Sequence, residues 1–264
     1  MDVRVLGNAQ DGGVPHLGCS CELCDRARSD PAQQRYASSL LLTDGSERYL
    51  VDATPDVRFQ IRGDGLDGVF LTHEHLGHLS GLLHFGPESL AAERLTVHCT
   101  PQLAAFVETN EPFARLSAED YISIHRVRPG SGVGLAEGCV VPLTVPHRST
   151  HADTVAYRIG GERTLLYMSD LDTWTDETIG LVADADIALV DGTFFRPDEI
   201  DRYEEVPHPA ITHSMDVLDP TATEIHFTHL NHTNPVLHPG SEERRRVEER
   251  GFHVADRGDS FSLG

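Results

Sequence analysis

The chain has 264 residues, with 42 acidic side chains against 21 basic ones, a formal net charge of -21. Every basic residue is arginine, and lysine is absent. This balance argues against bulk nucleic-acid binding and against an anionic membrane surface, both of which rely on cationic contacts, and no apolar run approaches the length of a transmembrane helix. Taken in chain order, apolar patterning predicts strands at about 2–7, 37–43, 48–52, 68–72, 95–99, 139–146, 154–159, 164–168, 186–190, 223–228 and 252–255. Helices are predicted at about 21–28, 78–85, 101–107, 175–182, 212–218 and 241–250. Asp44-Gly45, Gly160-Gly161 and Pro129-Gly130 read as turns between strands. The last helix mixes Glu242 with Arg244, Arg245 and Arg246, the pattern of a solvated face. Mixed strands and helices without linker, repeat or low-complexity tract give an α/β (α+β) class in a single domain over 1–264.

The first chemically loaded segment is Gly18-Cys19-Ser20-Cys21-Glu22-Leu23-Cys24. Three cysteines in six residues are too tight to be three independent disulfide partners, and a structural zinc needs four ligands. Cys99 and Cys139 lie in apolar contexts and read as buried free thiols. An odd cysteine count without a recognisable signal peptide favours a reducing, cytoplasmic compartment.

A second constellation follows the apolar run Gly68-Val69-Phe70-Leu71. There Thr72-His73-Glu74-His75-Leu76-Gly77-His78 puts three histidines within six residues. Neutral imidazole is the commonest protein metal ligand. Three further strands end in ligand-type side chains. His147 ends Val141–Pro146, Ser169 and Asp170 follow Thr164–Met168, and His229 follows Glu224–Thr228. Asp52, after Tyr49-Leu50-Val51, reads as a carboxylate that holds a ligand imidazole rather than as a ligand.

The succession His-x-His-x-x-His, His, Asp, His, each at a strand end, resembles the metallo-β-lactamase superfamily over nearly the whole chain. A nearer resemblance, to the coenzyme PQQ synthesis protein B family, is carried by Val5-Leu6-Gly7-Asn8-Ala9, Gly12-Gly13-Val14-Pro15, the cysteine cluster, Thr54-Pro55-Asp56, Val190-Asp191-Gly192-Thr193 and Asn231-His232-Thr233-Asn234-Pro235. A looser one, to PhnP-type cyclic phosphodiesterases, rests on the cysteines and a His-x-x-His near the C-terminus.

The resemblance implies a four-layer αββα sandwich with a structural-zinc loop at about 12–30. It implies one structural Zn²⁺ on Cys19, Cys21, Cys24 and His232. It also implies an active centre in which site one takes His73, His75 and His147, site two takes His78 and His229, and Asp170 is shared. The superfamily pattern has Asp where this chain has Gly77. Site two is therefore expected to lack its own carboxylate and to be weak, and Gly77→Asp is expected to strengthen it.

A Zn²⁺-like cation lowers the pKa of its water to about 7, giving hydroxide at neutral pH. The expected function is hydrolysis of a phosphodiester or ester-like bond of a small molecule, with Zn²⁺, Mn²⁺ or Fe²⁺ in the active site as one or two ions. Asp170 would also orient the water. His208 in Val206-Pro207-His208-Pro209 and His213 in Thr212-His213-Ser214 compete as acid or substrate-orienting group. The alternatives are a role in pyrroloquinoline quinone synthesis, where Fe²⁺ and oxygen chemistry would fit, and a non-catalytic metal-binding relative. A homodimer is compatible with this reading. The acidic, lysine-free composition points to salt adaptation, because high ionic strength screens self-repulsion. The melting temperature is therefore expected to rise between low and molar KCl; a flat or falling value contradicts salt adaptation.

Overall fold

The computed structural model describes residues 1–62 and 65–264. Six strands of the first half form one sheet: β1 (Asp2–Gly7), β2 (Ser39–Asp44), β3 (Glu47–Val51), β4 (Gly68–Phe70), β5 (Leu95–Cys99) and β6 (Ile122–Arg126). The next seven form a second: β7 (Val133–Gly134), β8 (Cys139–Thr144), β9 (Val155–Gly160), β10 (Thr164–Met168), β11 (Ile187–Asp191), β12 (Glu224–Thr228) and β13 (His253–Val254). β14 (Ser260–Ser262) returns to the first sheet, antiparallel to β1. The strand orders are β14-β1-β2-β3-β4-β5-β6 and β13-β12-β11-β10-β9-β8-β7.

Side-chain alternation explains the four layers. Leu165, Tyr167, Ile187 and Leu189 pack between the sheets against Val3, Leu40, Leu42 and Tyr157. Their neighbours Leu166, Met168, Ala188 and Val190 face the other way. That outer face of the second sheet is covered by α1 (Glu22–Ser29), α6 (Asp176–Ala183), α7 (Ile211–Val217) and α8 (Glu242–Glu249). Leu50, Val69, Leu71 and Val97 line the outer face of the first sheet, under α2 (Val57–Gln60), α3 (Leu76–Leu79), α4 (Pro101–Thr109) and α5 (Phe113–Ala118). Strands buried on both faces must be apolar throughout, as Thr164–Met168 and Ile187–Asp191 nearly are. The expected αββα sandwich is the observed one.

β3 to β6 run parallel, as do β10 to β13. Within each sheet these strands therefore end at one edge, where open α/β sheets place ligands. The helix expected at 78–85 is instead the single turn of α3 followed by a 3₁₀ segment, Ser80–Phe85. Gly81 donates its N–H to the Ala53 carbonyl at 2.8 Å, and a Cβ there would lie 2.1 Å from the Thr54 carbonyl oxygen. Apolar patterning in the sequence does not anticipate β6, β7, β14, α2 and α5. Cys99 is buried, whereas Cys139 is half-buried rather than core. Among the described residues no helix is long and apolar enough to cross a membrane.

Candidate metal centre

The strand ends converge on one buried cavity. His73 follows β4 after Leu71 and Thr72, and His75 sits at the N-cap of α3, which carries His78. Asp170 and His229 leave β10 and β12, and His147 lies just beyond β8. Asp52 and His229 both adopt left-handed backbone, φ 64° and 58°. Such conformations cost non-glycine residues about 1–3 kcal/mol and persist where the surroundings over-determine them. Here they turn the chain off β3 and β12, where Asp52 backs His78 Nδ1 and His229 points Nε2 at Asp170.

Asp170 is nearly central. Its Oδ1 lies 3.3 Å from His229 Nε2, 3.9 Å from His147 Nε2 and 4.0 Å from His73 Nε2, and its Oδ2 lies 3.4 Å from His78 Nε2. Donor atoms of His73, His75 and His147 form one compact group, with His147 Nε2 3.3 Å from His75 Nδ1. These are the residues expected for site one. Glu74, between the two histidines, accepts hydrogen bonds from Ser149 Oγ at 2.6 Å and from the Thr150 and His151 amides at 3.1 Å. It thereby holds the loop carrying His147 against His75.

Two matching Asp–Thr pairs set the ring orientations. Thr72 Oγ donates to Asp52 at 2.9 Å and accepts from His73 Nδ1 at 3.0 Å, while His78 Nδ1 donates directly to Asp52 at 2.7 Å. In the second sheet, Thr193 Oγ donates to Asp191 at 2.8 Å and accepts from His229 Nδ1 at 2.9 Å, while His208 Nδ1 donates directly to Asp191 at 2.5 Å. Each carboxylate thus fixes one imidazole directly and another through a hydroxyl. Partners of this kind fix a ring's tautomer and aim its other nitrogen at a metal. Asp52 is where it was expected; the Asp191–Thr193 pair was not foreseen.

The expectation for site two needs correction. Asp11, in the turn after β1, puts Oδ1 3.3 Å from His78 Nε2 and 3.5 Å from His229 Nε2. Asp11, His78 and His229 form a second compact donor group. A Cβ on Gly77 would lie 2.2 Å from Asp11 Oδ1 and 2.8 Å from its Cα. Gly77 is therefore the gap through which the N-terminal turn delivers a carboxylate. The anion missing from position 77 is present in space, and an aspartate built at 77 would collide with it.

The electrostatics fit cations. Nε2 of His73, His78 and His229 and Oδ1 of Asp11 are buried without a hydrogen-bond partner. Such atoms cost about 1–3 kcal/mol each when left unpaired. His78, His229 and Asp11 belong to one donor group, and His73 belongs to the group beside it. Burial alone would raise the carboxyl of Asp170, but the imidazoles of His229, His78, His73 and His147 hold it well below the usual range. Asp11 behaves likewise: His229 and His78 outweigh burial and hold it low. Burial would discharge His78 and His229, yet Asp170 with Asp52 or Asp11 pushes both upward. His73, His75 and His147 are held low by burial, which leaves neutral lone pairs for a metal. The carboxylates thus demand positive charge, and the first histidine group offers lone pairs.

The sulfurs of Cys19, Cys21 and Cys24 and a nitrogen of His232 form a separate group. All three cysteines are free thiols. His232 Nδ1 lies 3.5 Å from Cys19 Sγ and 4.0 Å from Cys21 Sγ. A tetrahedral zinc with bonds of about 2.3 Å to sulfur and 2.0–2.1 Å to nitrogen needs ligand separations of roughly 3.5 Å. Burial and the adjacent sulfurs push Cys24 up to about 12, so three thiolates here need a cation.

Of the two competing histidines, His208 reaches the cavity: it groups with Asp170 and His229, and its Nε2 lies 3.4 Å from Arg148 Nη2. His213 does not; it lies on the exposed face of α7, which presents Ile211, Ser214 and Met215 to the core. Asp172 stands beside the cavity, its Oδ1 2.8 Å from His147 Nδ1 and 3.4 Å from Arg148 Nη1.

Comparison with known proteins agrees with this architecture. The family model described as the beta-lactamase superfamily domain matches residues 47–258. Coenzyme PQQ synthesis protein B of Methylobacterium radiotolerans is 31% identical over 100% of both chains, and that of Nitrosococcus oceani is 28% identical over 97% of each. The crystal structure of Zn²⁺-bound PqqB from Methylobacterium extorquens superposes with a TM-score of 0.84 at 28% identity, covering 100% of both chains. A diphosphatase from the PhnP family has the same fold, TM-score 0.75 at 24% identity, with 98% of this chain and 96% of that one covered.

The two hydroxyl relays generate a prediction. Thr193→Val removes the acceptor for His229 Nδ1 without removing a candidate ligand. Affinity for active-site metal is expected to fall about 10–100-fold, measured by competition with a chromogenic chelator. An unchanged affinity would show that Thr193 does not aim His229.

Proposed function

Because the chain belongs to the beta-lactamase superfamily, we propose that it is a metal-dependent hydrolase with a two-cation centre acting on a phosphodiester or ester-like bond of a small molecule. The observation that carries this reading is the pair of donor groups on either side of Asp170, each completed by this chain alone. His73, His75 and His147 would hold one ion and Asp11, His78 and His229 the other, with Asp170 shared. Two such ions, when bound, lower the pKa of water and polarise a phosphoryl or carbonyl oxygen, the arrangement found in phosphatases and nucleases. Zn²⁺ or Mn²⁺ suits that chemistry. Cys19, Cys21, Cys24 and His232 would hold a separate structural Zn²⁺.

The remaining steps belong to side chains. Asp170 accepts a proton from, or orients, the attacking water. Asp191 accepts a hydrogen bond from His208 Nδ1, which directs Nε2, beside Arg148, toward the leaving group as the candidate proton carrier. Arg148, partly exposed beside His208, supplies a cationic contact for an anionic substrate in an otherwise acidic protein. A second reading, a step in pyrroloquinoline quinone synthesis, is favoured by full-length similarity to coenzyme PQQ synthesis protein B. There the same His and carboxylate donors would suit Fe²⁺ and oxygen.

The two readings separate in one assay. The protein is reconstituted with Zn²⁺, Mn²⁺ or Fe²⁺ and tested on phosphodiester and lactone panels with and without oxygen. Hydrolysis with Zn²⁺ or Mn²⁺ that ignores oxygen is expected; no hydrolysis on either panel, with oxygen consumed only by the Fe²⁺-loaded protein, favours the second reading. His208→Gln is expected to lower kcat by about 10²–10⁴-fold with unchanged metal content. A full kcat would remove His208 from the chemistry.

A further inference from the structure

The zinc loop and site two share two segments of chain. Asp11 lies eight positions before Cys19, and His229 lies three before His232. The segments are laced together before Asp11: Leu230 donates its N–H to Asn8 at 2.7 Å, Gln10 donates back to Leu230 at 2.9 Å, and Ala9 and Leu230 form a parallel bridge. After Asp11 the chain turns through two glycines, Gly13 adopting φ 61° and donating its N–H to the Gln10 carbonyl at 2.8 Å. The loop is next gripped by the Val14–Arg35 pair, and then at the cysteines, where His16 packs on His232 with ring centroids 4.4 Å apart and donates its amide to Cys24 Sγ at 3.2 Å. Between these points Leu17 is almost wholly exposed, so packing contributes little to holding the tip.

Asp11 thus has a firm anchor before it, glycines after it, and the Cys₃His group closing the far end of its loop onto the segment that carries His229. We infer that the structural zinc and the second active-site cation are thermodynamically linked, the zinc holding Asp11 and His229 in register for that cation. The inference rests on the two-cation reading. Its physical basis is ordinary: ligands pre-ordered by one ion bind the next without the entropy of ordering them. The roles of Gly77 and Asp11 give it direction. A carboxylate on α3 would be independent of the zinc loop, whereas one on the N-terminal turn is not.

The test counts and titrates metal, independently of turnover. Apoprotein is titrated with Co²⁺, whose thiolate charge-transfer absorption reports the cysteine group apart from the His/Asp sites. Wild type is expected to take three ions. Cys21→Ser should lose the thiolate signal, keep one active-site ion at wild-type affinity, and bind the other about 5–150-fold more weakly, the usual range of coupling between sites. Asp11→Ala keeps every cysteine ligand and should weaken the second cation directly. Linkage is reciprocal, so in Asp11→Ala the thiolate-bound ion should be held more weakly than in wild type against a competing chelator at equilibrium. This arm needs no cysteine variant to fold. Only one ion outside the cysteine group in wild type would overturn the two-cation reading and the linkage with it. Two such ions in wild type, with affinities unmoved in Cys21→Ser and thiolate-site affinity unmoved in Asp11→Ala, would overturn the linkage alone.

Discussion

Six imidazoles and two carboxylates share one largely buried cavity, and polar atoms that are buried must be paired or neutralised. The structure meets this demand on the outward-facing nitrogens, where Asp52, Asp191, Thr72 and Thr193 take the Nδ1 protons of His73, His78, His208 and His229. It leaves the inner Nε2 atoms of His73, His78 and His229 and Oδ1 of Asp11 without partners. That combination, rigid behind and unpaired in front, is the signature of a site prepared for cations. The requirement explains the strained backbone at Asp52 and His229, the absence of a side chain at Gly77, and the placing of Asp170 between the two donor groups.

The sandwich is what makes such crowding attainable. Three apolar layers hold the parallel strands so that their ends meet at one edge. Each sheet then adds the same device, an Asp–Thr pair at the ends of its strands, to aim two rings. Most donors therefore sit at or next to strand ends, and Glu74 pins the loop that carries His147. Asp11 lies on the loop that bears the cysteine group.

Much of this was legible locally. A strand ending in a ligand is a short-range pattern, so His73, His75, His78, Asp170 and His229 could be singled out from their own neighbourhoods. The cysteine spacing carried its chemistry in the same way. What could not be seen were contacts between distant segments. Asp11 sits in Gln10-Asp11-Gly12-Gly13, which reads as an ordinary turn, and its meeting with His78 depends on how the first strand is laid across the sandwich. A usable signal did exist: a carboxylate missing at Gly77, beside a turn whose cysteines the resemblance already tied to His232. His213 was misjudged for the converse reason. Its local sequence resembled a site, but the helical face of α7 that turns inward belongs to Ile211, Ser214 and Met215. The edge strands β7 and β14 escaped because they are only 2 and 3 residues long, and in β6 the exposed His125 and Arg126 blur the alternation.

The central claim is that the second cation takes its private carboxylate from the N-terminal turn. Anomalous diffraction from zinc-loaded crystals tests it most directly. The account predicts one ion at the cysteine group and two beside Asp170, the second with Asp11 Oδ1 at about 2.0–2.2 Å. A second ion coordinated without Asp11, or a single ion beside Asp170, would contradict it.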